Sequence, residues 1–172
     1  MFILKSFKSG FRKIFMNKYE GKYQKIVDNL IKKSFSELKG KRIYVSEASD
    51  KVSEKCSAVN YYFIWVSFIK VSQKLRKYSD SELKGIFAHE LGHSLRFGEC
   101  SFFGKLWKGF RYMTSRKART VEENACDKIA VERGYGRGLS SAKVKRMKKG
   151  KYAKCYMSPE EVKTYAKKVG KW

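Results

Sequence analysis

Residues 85–98 read GIFAHELGHSLRFG, and the fold turns on what this stretch is. Just upstream, Ser79-Asp80-Ser81-Glu82 has the form of a capping box, in which serine hydroxyl and glutamate carboxylate each satisfy a free backbone N–H at a helix start. A helix is therefore expected from Ser79 to a stop near Gly98. Side chains four residues apart share one helix face, so His89 and His93 can meet at one point and bind one metal ion. Glu90 points to the edge of that face, where a carboxylate reaches a metal-bound water instead of the metal. Zinc depresses the pKa of such a water toward ~7, and a neighbouring carboxylate can take its proton as the water attacks a carbonyl. The spacing thus supplies two ligands and a general base at once. Two surface histidines on an ordinary helix are the competing explanation. Ile86, Phe87 and Ala88 before the motif, and Gly92 inside it, favour the metal: the glycine permits close approach by another element.

The histidine count narrows the ligand set. The chain has two histidines, both in this motif, so a site completed by a third histidine is excluded. A carboxylate, or less readily a cysteine, must finish it. A second helix, expected from Thr120 to Arg133, carries TVEENACDKIAVER, with Glu123 and Asp127 four apart on one face. Glu123 can ligate zinc while Asp127 accepts a hydrogen bond from the free ring nitrogen of a bound histidine, orienting the ring. Glu122 competes for the ligand role, but the residue four positions on is Cys126, a poor acceptor. Thr120 with Glu123 also has capping-box form, which gives the acids a purely local explanation.

HELGH followed by a helix bearing E-x-x-x-D resembles the gluzincin clan of zinc metallopeptidases. The run FIKVSQKLRKYSDSELKGIFAHELGH (68–93) is similar to the segment before the motif in HtpX-like peptidases and their small soluble relatives, the minigluzincins. The similarity covers residues 58–135. It implies an α+β, zincin-like fold in which a small sheet places an edge strand over the active-site helix, beside a second ligand-bearing helix. It further implies a metalloendopeptidase with Zn²⁺ held by His89, His93 and Glu123, Glu90 as general base, and Asp127 behind a ligand. Its substrate would be a peptide or protein laid along NYYFIWVS (60–67) by strand addition. Two departures stand out. Cys126 occupies a position usually held by alanine or serine, and the membrane-spanning helices of HtpX-like enzymes are missing. Segment 99–119, where those helices would begin, is then a shortened membrane-facing remnant, a flap or a packed loop.

Outside the motifs, the helical period places Tyr23, Ile26, Val27, Leu30, Ile31, Phe35 and Leu38 on one face of a helix ended by Gly40. KRIYVS (41–46) and NYYFIWVS read as strands, and Phe68, Val71, Leu75 and Tyr78 are spaced as on a short helix. Segment 99–119 looks irregular and aromatic. GYGRG (134–138) reads as a helix stop and loop, and residues 137–157 are lysine-dense and free of acid. Ser158-Pro159-Glu160-Glu161 opens a last helix. No domain boundary is visible within 19–172, whereas 1–18 has the pattern of a basic amphipathic segment that lies on a membrane surface or docks on the domain. Hydrolysis also needs a donor for the oxyanion, for which Tyr112, Arg119, Tyr135 and Arg137 are the candidates.

Charge supplies the rival reading. Forty Lys and Arg against 16 Asp and Glu give +24, a field that attracts nucleic acid, anionic lipid or acidic peptides. The alternative function is a nucleic-acid- or anionic-membrane-binding protein on a zincin scaffold. Four widely spaced cysteines suit a reducing compartment, so the expected location is the cytoplasm, with peripheral contact to membrane. Basic segments flanking a compact core also raise latency, the termini covering the cleft.

Overall fold

The computed structural model describes residues 18–48, 57–63, 66–148 and 155–172. The basic stretch 1–17 lies outside them, as does the centre of the NYYFIWVS run. Among the described residues the architecture is α+β, with six helices and a three-stranded mixed sheet. The helices are α1 (Lys18–Ser34), α2 (Asp80–Gly98), α3 (Phe102–Thr114), α4 (Arg116–Glu132), α5 (Gly136–Lys148) and α6 (Pro159–Lys168). The strands are β1 (Arg42–Glu47), β2 (Ala58–Phe63) and β3 (Val66–Val71), in spatial order β1-β3-β2. β1 runs parallel to β3, and β2 runs antiparallel to it.

α1 follows its apolar period: Tyr23, Val27 and Leu30 are buried, with Phe35 and Leu38 continuing the stripe through a 3₁₀ turn. Its polar residues close one edge of the sheet. Gln24 donates to the Ile43 carbonyl and accepts from the Val45 N–H, while Glu20 accepts from the Glu47 N–H. The backbone of β1, an edge by position, is thereby occupied by side chains of α1. β2 forms the opposite edge, and among the described residues no strand pairs with its far side.

The sequence period misleads between residues 60 and 78. The expected single strand is two, β2 and β3. The expected helix over Phe68–Tyr78 is instead strand β3 followed by a 3₁₀ turn, Gln73–Lys77. Positions 68, 71, 75 and 78 mimic a helical stripe, but alternation wins: Ser67, Ile69 and Val71 face inward, whereas Phe68 is exposed and stacks near Tyr44 on the outer face.

α2 begins as its sequence requires. Ser79 Oγ accepts from the Glu82 N–H, and Glu82 accepts from the Ser79 N–H. Glu82 also takes hydrogen bonds from Ser141 Oγ and Lys145 Nζ on α5. These partners outweigh its burial and pull its carboxyl from 4.5 down to about 2. A carboxyl depressed on folding stabilises fully above its unfolded value and loses that contribution as pH falls through its folded value. Glu82→Gln should therefore cost about 1–3 kcal/mol at neutral pH. In urea denaturation the difference from wild type should shrink below pH 4.5 and vanish near pH 2; a pH-independent difference would show that the charge contributes nothing.

GYGRG ends α4 as expected, with Gly134 at φ +87°, but the glycines after it open a helix. α5 crosses α2 backbone to backbone. A Cβ on Gly138 would lie 2.0 Å from the Ser81 carbonyl oxygen, and one on Gly85 would lie 2.3 Å from the Leu139 nitrogen. The G-x-G pattern is a helix-crossing device, and it brings the lysine-rich α5 against the motif helix. Close approach also holds at Gly92, where a Cβ would sit 3.2 Å from Cys126 Cα on α4.

Segment 99–119 is not irregular. Ser101 caps α3 through the Gly104 N–H, and Ser115 caps α4 through the Ala118 N–H. α4 thus starts at Arg116, four residues before the expected Thr120, whose hydroxyl merely donates back to the Arg116 carbonyl. The Thr120–Glu123 box does not form, which leaves the Glu123 carboxylate available elsewhere. α6 starts with the expected Ser158–Glu161 box and buries Val162 and Ala166 completely. The C-terminal segment therefore belongs to the core.

Candidate metal centre

α2 and α4 pack side by side, and their facing side chains converge. His89 Nε2 lies 3.1 Å from Glu123 Oε2, and His93 Nε2 lies 3.4 Å from the same oxygen. The two rings are edge to face, with centroids 5.0 Å apart. Ligand atoms about 2.0–2.1 Å from a tetrahedral zinc sit about 3.3 Å from one another. The donor set of two imidazole nitrogens and one carboxylate oxygen, mutually within 4.8 Å, therefore fits a zinc ion in both chemistry and spacing.

Asp127 stands behind this trio, completely buried. Its Oδ1 is 2.8 Å from His89 Nδ1, and an ionised carboxylate only accepts, so Nδ1 carries a proton and Nε2 is the ring nitrogen that faces the cluster. Lys143 Nζ at 2.8 Å and the Met157 N–H at 3.0 Å hold the other oxygen. Burial raises the Asp127 carboxyl, but the charges of His89 and Lys143 bring it below its usual range. Lys143 is itself buried and shifted down by desolvation, against the pull of Asp127. Burial likewise opposes ionisation of Glu123, yet the two imidazoles hold its carboxyl well below the ordinary range.

Glu90 is buried beside His89 in a narrow cleft that Tyr156, Lys143 and Arg146 also line. Burial pushes its carboxyl up, partly countered by His89 and His93. The backbone around it is pinned to the sheet. Asn60 of β2 donates to the Glu90 carbonyl and to Ser94 Oγ, both at 2.7 Å, while Ser67 of β3 donates to Asn60 Oδ1. The open-edged strand therefore lies directly over the motif helix.

Glu122 points away from the trio. Arg96 grips it through Nε and a terminal nitrogen, and Lys108 Nζ stands 3.0 Å away. His93, Arg96 and Lys108 overcome the effect of burial and lower its carboxyl to about 2. Its nearest approach to His93 is 3.9 Å, to Nδ1. Cys126 Sγ lies 3.2 Å from that same Nδ1, the position beside His93 that corresponds to Asp127 beside His89. A second grouping, His93 Nδ1 with Glu122 and Cys126, is thus close enough for a cation, but its carboxylate is already paired.

Of the four candidate oxyanion donors, two lie elsewhere. Tyr135 shares a hydrogen bond with Ser34, and Arg137 stacks over Trp172. Arg119 donates to the Tyr112 carbonyl, and only Tyr112 reaches the cluster, its hydroxyl bonded to Glu123 Oε1. Tyr156 was not foreseen, yet its ring stands 5.9 Å from that of His89, flanked by Lys143 and Arg146. Lys143 was also missed, although it falls four residues after Leu139, on the buried face of α5. A lysine on an apolar stripe was the available signal.

Comparison of the chain with protein-family models, with curated proteins and with solved structures finds no match. Among the described residues no helix is long and apolar enough to cross a membrane.

Proposed function

We propose that the chain is a zinc-dependent metalloendopeptidase of zincin-like fold. The observation that supports this most is the convergence of His89, His93 and Glu123, from two separate helices, onto one point beside the buried carboxylate of Glu90. His89, His93 and Glu123 would hold Zn²⁺. When bound, such an ion supplies Lewis-acid polarisation of a carbonyl and makes a water molecule easier to deprotonate. Glu90 takes a proton from the attacking water as its oxygen bonds to the scissile carbonyl carbon. The same carboxyl returns the proton to the amine as the C–N bond breaks. Asp127, fixed by Lys143 and the Met157 N–H, keeps the His89 proton on Nδ1. The free edge of β2 offers backbone groups to an extended peptide, and Asn60 couples that edge to the helix carrying Glu90. The positive surface suits an acidic substrate segment.

The test is direct. Purified protein should hold one zinc per chain by native mass spectrometry and cleave an unfolded protein substrate, with a chelator stopping cleavage and zinc restoring it. A chain that takes up no zinc, or a cleavage indifferent to chelation, would contradict the proposal.

Asp127→Asn probes the support behind the ligand. The amide cannot balance buried Lys143, so stability should fall by about 3–5 kcal/mol. Zinc affinity should drop about 10- to 100-fold as the His89 ring exchanges a charged acceptor for a weaker neutral one. Denaturant titration and competitive zinc titration measure the two effects. An unchanged zinc affinity would remove Asp127 from the account of the site.

A further inference from the structure

α3 is amphipathic the wrong way round for a helix packed on a core. A surface helix ordinarily turns its apolar stripe inward, and α3 turns it outward. Phe103, Leu106, Trp107, Phe110 and Met113 recur at three- and four-residue spacing and are 57–80% exposed, with Phe102 beside them. The inward side is polar or cationic. Lys108 pairs with Glu122 and lies over the Phe97 ring, Lys105 lies over the Tyr62 ring, and Tyr112 bonds to Glu123. No residue of α3 is buried. The helix is anchored by its polar side, and its aromatic side remains largely exposed.

The surroundings of this face select its occupant. From Cys100 to Val121 the sequence has six Lys and Arg and no acid. Arg111, Arg116 and Lys117 are exposed along the rim and after its end. Phenylalanine, tryptophan and leucine on one face, bordered by cations, is the composition that settles in the headgroup region of a bilayer, where apolar burial and attraction to anionic lipid add. A protein partner would need to match both features with an acid-rimmed apolar groove. An anionic bilayer supplies them without any specific structure.

We propose that the outward face of α3, centred on Phe103, Leu106, Trp107 and Phe110, docks the protein on anionic lipid surfaces without crossing them. The inference does not depend on zinc or on peptidase activity. If both hold, α3 links the docked face to the metal centre through Tyr112.

The test uses the full chain and vesicles of equimolar phosphatidylcholine and phosphatidylglycerol, with phosphatidylcholine alone as the comparison. Sedimentation should show binding to the anionic vesicles and much weaker binding to the neutral ones. Phe103→Ser with Trp107→Ser should weaken it roughly 10- to 100-fold, with an unchanged circular dichroism spectrum because both side chains are exposed. Lipids carrying a quencher in the acyl chain should quench wild-type emission more than that of Trp107→Phe. Equal binding by wild type and the double variant, or binding erased by salt without quenching of Trp107, would overturn the proposal. So would a dimer in lipid-free solution that the double substitution splits, because the face would then be a subunit interface.

Discussion

Glu90→Gln should lower peptidase activity by about 10²- to 10⁴-fold, the range that a positioned general base contributes, while zinc content stays at one per chain. Glutamine keeps the volume and shape of the side chain, so the cleft wall that Glu90 shares with Tyr156 and Lys143 persists. What it loses is the ability to accept and return a proton. Stability should not suffer. The carboxylate is buried, and desolvation already pushes its pKa up, so a neutral amide relieves a cost of burial instead of adding one. Activity on an unfolded substrate, zinc stoichiometry and melting temperature, measured on the same preparation, separate loss of chemistry from loss of fold. Activity within a few-fold of wild type would remove Glu90 from the mechanism even if zinc is bound.

The second large effect belongs to Glu123. Its Oε2 is the atom on which both imidazoles converge, and Glu123→Gln replaces an anionic ligand with a weak neutral one. Zinc affinity should fall by more than about 100-fold, beyond the loss typical of a residue that only supports a ligand. Glu122→Gln is the matched control on the adjacent residue. That carboxylate serves Arg96 and Lys108 instead of the cluster, so zinc affinity should move only a few-fold, although the unpaired cations should cost stability. If the two substitutions exchanged their effects, the metal would lie on the other side of His93, with Cys126.

Much of this arrangement was legible in the sequence because it depends on short, local rules. Ser79 and Glu82 fix where α2 starts, the four-residue spacing fixes which faces His89, His93, Glu123 and Asp127 share, and a chain with two histidines needs a carboxylate. The errors arose where local signals were ambiguous or the environment was inverted. Phe68, Val71, Leu75 and Tyr78 satisfy a helical period, yet sheet pairing with β1 and β2 on both sides of β3 overrode it. The aromatic stripe of α3 is helical in period, but crowding of Phe and Trp beside glycines obscured it, and no inward apolar face exists to anchor the reading. Gly85 and Gly138 reveal a helix crossing only when both are placed together. Lys143 and Tyr156 enter the site from a segment read for its charge alone, and their roles depend on tertiary contact with Asp127 and His89.

X-ray absorption at the zinc edge of the zinc-loaded protein tests the centre most directly. The expected shell is two imidazole nitrogens and carboxylate or water oxygen, all at about 2.0–2.2 Å, with no sulfur. A sulfur scatterer at about 2.3 Å would assign the metal to Cys126, and a protein that retains no zinc at all would remove the centre on which the hydrolytic account stands.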